Sequence, residues 1–144
     1  MSAVALRFAD TDADIGACFA VLHQLRPHIA TSAELVARVQ RQRGHGYRLL
    51  AAWCDAQVVG VAGYRMQENL IHGRFVYVDD LVVLDRERRG GIGAALLDAV
   101  AADARADGRA RMTLDTGLDN ALGQRFYFRW GLLATGLHFS RGLA

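Results

Sequence analysis

The segment of this chain whose residue types most clearly imply chemistry is a glycine-rich loop that leads into an apolar, helix-like stretch. It reads Arg88, Arg89, Gly90, Gly91, Ile92, Gly93 and Ala94. Glycines let the backbone approach an anion without a side chain in the way. The first turn of the following helix directs unpaired N–H groups and the positive end of its dipole at that anion. This combination predicts a pyrophosphate-binding site.

Two familiar phosphate-binding loops do not fit this segment. The dinucleotide-binding pattern needs a third glycine at the position where this chain has Leu96. The P-loop of nucleoside triphosphatases needs a lysine, and all 17 basic residues here are arginines. A purely structural interpretation stays open, in which the glycines only form a tight turn before a helix.

Two adjacent carboxylates, Asp79 and Asp80, interrupt a run of apolar residues from Phe75 to Leu84, just before the loop. The run is rich in β-branched and aromatic residues, which predicts a buried strand. A carboxylate in a buried strand is costly unless it is solvated, paired or used in chemistry. Both residues are therefore catalytic candidates, and an ion pair with a nearby arginine is the structural alternative.

A second pattern follows the loop, where a short helix is predicted from Asn120, a typical N-cap, to Gly131, a typical C-terminal stop. The D-D-L strand, the R-x-x-G-x-G loop and this N…F-Y…G helix together resemble the GNAT family of N-acetyltransferases in order and spacing. The resemblance extends from the N-terminal strand to about Phe139. Its specific motifs lie between Val76 and Leu132.

The resemblance implies an enzyme with acetyl-CoA as cosubstrate. In the family, the strand that here carries Leu81, Val82 and Val83 offers backbone groups to the pantetheine arm and the acetyl carbonyl. The loop from Arg88 to Ala94, with Arg89, Gly90, Gly91, Ile92 and Gly93, would hold the pyrophosphate, chiefly through main-chain amides. Asn120 would approach the pantetheine arm. The acceptor would be a primary amine of a small molecule or peptide.

The resemblance also assigns catalytic roles. Tyr127 matches the family's tyrosine that protonates the departing CoA sulfur, and its alternative is a core tyrosine beside Phe126 and Phe128. Asp79 occupies the position of a frequent family carboxylate, so it would help remove the amine proton, through a water molecule. On a regular strand Asp79 and Asp80 point to opposite faces, so only one would face the acceptor. A strand bulge would exchange which of the two residues faces the acceptor.

The pattern of the whole chain predicts an α/β (α+β) domain with a mixed, mostly antiparallel sheet flanked by helices. The predicted order is β-α-α-β-β-β-α-β-α-β. The predicted strands are 3–8, 47–54, 58–66, 75–84, 111–115 and 134–140, and the predicted helices start at Thr11, Thr31, Ile92 and Asn120. About a dozen residues follow Gly131, so the terminal hairpin that the family would have is truncated. This leaves room for a neighbouring subunit, and a homodimer is expected.

The composition indicates how many domains, which partners and which cellular setting to expect. With 144 residues, 52% of them hydrophobic and 22% charged, the chain suits a single domain over residues 1–144. A net charge of +2 does not indicate a nucleic-acid partner. Cys18 and Cys54 are far apart, so we expect neither a disulfide nor a metal site, and a reducing, cytoplasmic setting. Nothing in the pattern predicts export or membrane insertion.

A second class of function remains open at this point, namely a non-catalytic module that binds acyl-CoA as a sensor or as part of a complex. The presence of both Tyr127 and a carboxylate at position 79 argues against it, because a degenerate site would have little reason to hold either. The identity of the amine acceptor does not follow from the sequence.

Overall fold

The computed structural model describes residues 3–88 and 90–144, in a first unit that ends at Thr113 and a second that begins at Leu114. The strands of the described residues are β1 (Val4–Phe8), β2 (Tyr47–Cys54), β3 (Gln57–Asn69), β4 (Gly73–Val83) and β5 (Met112–Leu114). The helices are α1 (Asp12–Ala17), α2 (Phe19–Leu25), α3 (Ser32–Arg43), α4 (Ile92–Ala106) and α5 (Ala121–Trp130), with a short 3-10 turn at Asp85–Glu87.

The strands form one sheet in the order β1-β2-β3-β4-β5, with β1 to β4 paired antiparallel. A tight two-residue turn joins β2 to β3, and Asp55 adopts a positive φ of 55° in it. Such short loops favour residues that tolerate the left-handed conformation, as aspartate does. The predicted mixed, mostly antiparallel sheet flanked by helices is confirmed.

The two faces of the sheet bury different sets of side chains. Helices α1, α2 and α3 share a hydrophobic core with alternate residues of β2, namely Leu49, Ala51 and Trp53. Helix α4 lies against the opposite face, where Ile92 and Leu96 approach the backbone at Gly60. The period-two alternation of strand side chains therefore decides which helix each residue meets.

The first predicted helix is wrong in one respect, because it is broken into α1 and α2 at Cys18. The Cys18 N–H donates to the carbonyl of Ile15 at 3.0 Å, a three-residue bond that tightens the chain and ends α1. The apolar face continues across the break, so the hydrophobic pattern alone does not reveal it. Gly16 in the last turn of α1 has low helix propensity and lies close to the Ser32 hydroxyl of α3.

The hairpin of β3 and β4 is longer than the pattern predicts. Residues 67–69 pair with residues 73–75 across the hairpin, which leaves a loop of only three residues, Leu70 to His72. Glutamine, glutamate and asparagine have low strand propensity, which favours a loop in the sequence. Cross-strand hydrogen bonding overrides that local preference here.

The predicted final strand over 134–140 is also wrong, because residues 132–144, all of them described, contain neither helix nor strand. Leu133, Leu137 and Phe139 are exposed. Their spacing suggests a strand, but a strand forms only where a neighbouring strand supplies hydrogen bonds. Within the second unit, the segment instead contacts Asp115, with 3.1 Å between His138 Nδ1 and Asp115 Oδ2.

Candidate active site

A β-bulge at Asp79 determines how the two predicted carboxylates are presented. In the register of β3 with β4, Gly63 pairs with Asp80 and Tyr64 pairs with Val78, so Asp79 is the extra residue. A bulge shifts the alternation of side chains by one position. The expectation that Asp79 and Asp80 point to opposite faces applies to a regular strand, and the bulge considered as its alternative is present here.

Asp79 and Asp80 are both paired with arginines on the side of the sheet that α2 covers. Both carboxylate oxygens of Asp79 accept from Arg65, at 2.9 Å from Nε and 2.7 Å from Nη2. One oxygen of Asp80 accepts from Arg26 Nε at 3.0 Å, and Arg26 Nη2 donates to the backbone carbonyl of Asp79 at 2.9 Å. The hydrogen bond to Asp79 raises the pKa of the Arg65 guanidinium. Asp79 and Asp80 thus form the ion pairs of the structural alternative, and these ion pairs are compatible with a functional role.

Tyr47 completes this network from the start of β2. Its hydroxyl donates to the second oxygen of Asp80 at 2.7 Å, and its ring is buried. Burial first, and then the charge of Asp80, raise the pKa of the Tyr47 phenol well above its ordinary value. Tyr47 therefore remains a hydrogen-bond donor, which stabilises the charge of Asp80 and fixes its orientation.

The Tyr47 ring has room because residue 63 is glycine. A Cβ built at Gly63 would overlap the Tyr47 hydroxyl and ring. We expect Gly63→Ala to lower the free energy of unfolding by about 1–3 kcal/mol, because extra volume in a packed core forces its neighbours apart. Urea denaturation measures this change.

The matched control for this substitution is Gly136→Ala, since nothing lies within 4 Å of a Cβ at Gly136. The free energy of unfolding of that variant should stay within about 0.5 kcal/mol of the wild-type value, as it usually does for surface substitutions. Tyr47→Leu should reduce the cost of Gly63→Ala when the two are combined. Equal stability of the Gly63→Ala and Gly136→Ala variants would show that Tyr47 does not pack closely against residue 63.

The glycine loop enters α4 through a left-handed residue. Gly91 has φ 77° and ψ 10°, and Ile92 begins the helix directly after it. The first N–H groups of a helix have no partner inside the helix, so this turn presents donors to a ligand. Arg89 lies outside the described residues. The remaining predicted loop residues, Gly90, Gly93 and Ala94, lie on either side of the left-handed turn.

Two side chains already contact the backbone where the cofactor arm is expected. The carbonyl of Val83, at the end of β4, accepts from Gln24 Nε2 at 3.1 Å and from Arg88 Nε at 3.4 Å. Arg88 also forms an ion pair of 2.8 Å with Asp85. The other predicted backbone positions, Leu81 and Val82, pair with β3. A ligand that uses the Val83 carbonyl must therefore displace Gln24 and Arg88.

The second unit holds the other two predicted site residues, Asn120 and Tyr127. The Asn120 side chain caps α5, accepting from the Gly123 N–H at 3.1 Å, and donates to the Thr116 hydroxyl at 2.9 Å. Gly131 ends the helix at φ 110°, as predicted. Tyr127 is half-buried, and burial raises the pKa of its phenol. The hydroxyl therefore stays protonated at neutral pH.

Arg26, Arg65 and Tyr47 are not singled out by any sequence motif. A weak signal exists for Arg65, which is a charged residue in the apolar run from Val58 to Met66 and shares the parity of Val61 and Gly63. Arg26 follows a helix and Tyr47 starts a strand, and neither position identifies a residue of a functional site in the sequence. Their convergence depends on the bulge and on tertiary packing.

A surface cavity of about 320 Å³ on the first unit is lined by Tyr47 of the Asp80 network and by Phe8, Asp10, Arg43, Arg48 and Leu49, and none of the site residues predicted from the sequence lines it. Across residues 3–88 and 90–144 no group of three or more His, Cys, Asp or Glu side chains could hold a metal ion. No helix in the same ranges has the length and apolar character needed to span a membrane.

Comparisons with known proteins identify the family and the fold. A family model described as the acetyltransferase (GNAT) family matches residues 17–132. The aminoglycoside N-acetyltransferase AAC(6')-Iy, solved in complex with CoA, is similar with 20% identity and a TM-score of 0.86, over 100% of this chain and 97% of that one. A search of curated protein sequences gave no significant match.

Two further solved structures share the fold. The ribosomal-protein-alanine N-acetyltransferase of Brucella melitensis has 19% identity and a TM-score of 0.82, over 98% of this chain and all of its own. The glucosamine-6-phosphate N-acetyltransferase of Arabidopsis thaliana has 17% identity and a TM-score of 0.76, over 99% of both chains. At these identities the similarity shows the fold and leaves the substrate undetermined.

Proposed function

The chain belongs to the acetyltransferase (GNAT) family, and from this premise we propose that it transfers the acetyl group of acetyl-CoA to a primary amine of a small molecule or peptide. The observation that carries the proposal is the left-handed Gly91 directly before α4. That turn directs the first N–H groups and the positive end of a 15-residue helix toward one point, which suits a pyrophosphate.

In the proposed reaction, the amine nitrogen attacks the thioester carbonyl carbon, and the tetrahedral intermediate collapses with cleavage of the carbon–sulfur bond. The acetyl group ends on nitrogen and the electron pair of the broken bond ends on sulfur. Tyr127 gives its proton to that thiolate, the nitrogen releases to solvent the second proton that the amide does not keep, and Tyr127 recovers a proton from solvent. Because an ammonium with an ordinary pKa of about 10 cannot attack, it must first lose a proton.

The network of Asp79 and Asp80 suits proton removal through water better than direct contact. Each of their four carboxylate oxygens already accepts from Arg65, Arg26 or Tyr47. Oxygens that hold donors can still orient an ammonium and a water molecule beside it. We therefore assign this pair the role of positioning the amine, with water carrying the proton away.

Two measurements test the proposal together. Isothermal titration with acetyl-CoA should show binding, and release of free CoA thiol should follow when a panel of amines is added. Binding without release for any amine would instead support an acyl-CoA sensor, an alternative favoured by the complete pairing of both carboxylates. Absence of acetyl-CoA binding would refute both functions.

A further inference from the structure

The network of Asp79, Asp80, Arg26 and Arg65 contains two negative and two positive side chains. The two ion pairs have nitrogen–oxygen distances of 3.0 Å for Arg26 with Asp80 and 2.7 Å for Arg65 with Asp79. The carboxylates are therefore neutralised by the protein itself. A polycationic acceptor needs surplus negative charge at its binding site, and this network does not supply it.

Exposure divides the four side chains by sign. The side chains of Arg26 and Arg65 are 41% and 35% exposed, whereas those of Asp80 and Asp79 are 16% and 20% exposed. The arginine side chains thus form the more exposed part of the network and the carboxylates its more buried part. An approaching molecule meets positive charge first.

Both guanidinium groups also keep unused donors. A guanidinium has five N–H groups. Arg26 and Arg65 each donate through Nε and Nη2, and these hydrogen bonds to Asp79 and Asp80 do not use Nη1 of either. The free Nη1 edge of a guanidinium that a carboxylate already orients is well suited to a second anion, because planar donors pair with carboxylate and phosphate oxygens.

We propose that Arg26 and Arg65 form a subsite for an anionic group of the acceptor, so that the acceptor is an amine that also carries a carboxylate or a phosphate. The inner carboxylates would face the ammonium of such a molecule and the outer guanidinium groups its acidic group. This inference rests on the proposed function, because it names the substrate class of the same site.

Matched acceptor pairs test this subsite. L-lysine is compared with cadaverine, L-ornithine with putrescine, and O-phosphoethanolamine with ethanolamine, each pair differing in the acidic group. We expect kcat/KM for CoA release to be at least about tenfold higher for the acidic member of one or more pairs. The lysine and ornithine pairs report on a carboxylate and the ethanolamine pair on a phosphate. Equal or higher values for the amines without an acidic group would overturn the proposal.

Substitutions in the protein give a second readout. Arg65→Gln should remove the preference for the acidic member and raise the relative activity on cadaverine, because Asp79 then becomes an unpaired negative charge. Arg65→Lys should keep part of the preference. The control is Arg38→Gln, which removes an exposed arginine paired with Glu34 on α3 and should leave the preference unchanged. An unchanged preference in Arg65→Gln would contradict the subsite.

Failure of this inference is distinguishable from failure of the proposed function. Acetyl-CoA binding and CoA release with no preference for acidic amines would leave the acetyltransferase intact and remove the anion subsite. If no amine is acetylated, calorimetric titration of the unliganded protein with L-lysine and cadaverine decides the question. Heat with L-lysine that Arg65→Gln abolishes would support the subsite, and absence of heat with L-lysine would reject it.

Discussion

Replacement of Tyr127 by phenylalanine is expected to lower kcat about ten- to a thousandfold while leaving acetyl-CoA affinity nearly unchanged. The physical reason is that phenylalanine keeps the ring and loses only the proton that the CoA thiolate needs. Burial raises the pKa of Tyr127, so the phenol is protonated throughout the range in which the enzyme would be assayed. Steady-state kinetics and isothermal titration with acetyl-CoA measure the two quantities separately.

The raised pKa does not exclude this role. A thiol has an ordinary pKa of about 8.5 and a phenol about 10, so proton transfer to the thiolate is uphill by about 2 kcal/mol or somewhat more. That cost is small against a typical enzymatic barrier. Because a raised pKa keeps the proton bound up to higher pH, loss of this acid should lower the rate at every pH between 6 and about 9 by a similar factor.

Phe128→Leu is the matched control for Tyr127→Phe, because Phe128 is an exposed aromatic residue of the same helix. It should leave kcat and acetyl-CoA affinity within about twofold, as an exposed position predicts. Full activity of Tyr127→Phe would refute the acid role. A parallel loss of acetyl-CoA affinity and kcat would indicate that Tyr127 is a packing residue instead.

The features that the sequence predicts correctly depend on local chemistry. Asn120 and Gly131 bound α5 as expected because a side-chain cap and a left-handed glycine act within one turn. Thr31 likewise caps α3, accepting from the Glu34 N–H at 3.1 Å. The β2–β3 hairpin follows from two apolar runs separated by Asp55, Ala56 and Gln57, although Gln57 proves to be the first residue of β3. In each case the residues that decide the structure are close together in the chain.

The features that escape prediction depend on contacts between distant residues. The bulge at Asp79 arises from the register of β4 against β3, which no single strand pattern determines. The pairing of Asp80 with Arg26 joins residues 54 positions apart, and that with Tyr47 joins residues 33 apart. The candidate carboxylates can thus be found from sequence, whereas their neutralisation by arginines requires the fold.

This neutralisation changes what the two carboxylates can do. An unpaired aspartate pair would present two negative charges to an amine and could take its proton directly. With Arg26 and Arg65 in place, the same pair becomes the inner half of a dipolar arrangement with no net charge. Substrate choice would then depend on the orientation of charge in the acceptor more than on its total charge.

The conformation of Gly91 leads to the second large effect. Gly91→Val should weaken acetyl-CoA binding by about 5- to 30-fold, because a left-handed residue with a side chain costs about 1–2 kcal/mol, with β-branched residues the least tolerant. Gly91 is exposed, so the loop can relax locally and leave the protein folded. The fraction of molecules with a binding-competent loop then falls, and the apparent affinity falls with it. Isothermal titration measures the change.

Gly91→Asn separates backbone conformation from simple crowding, since asparagine also adds a Cβ but tolerates the left-handed region. Among residues 3–88 and 90–144 nothing lies within 4 Å of a Cβ at Gly91, so none of these residues hinders either variant. If the left-handed turn is what aims the N–H donors at the pyrophosphate, the asparagine variant should bind within about threefold of the wild type. Equal losses in both variants would show that close approach of the ligand matters instead, and unchanged binding in both would place the pyrophosphate elsewhere.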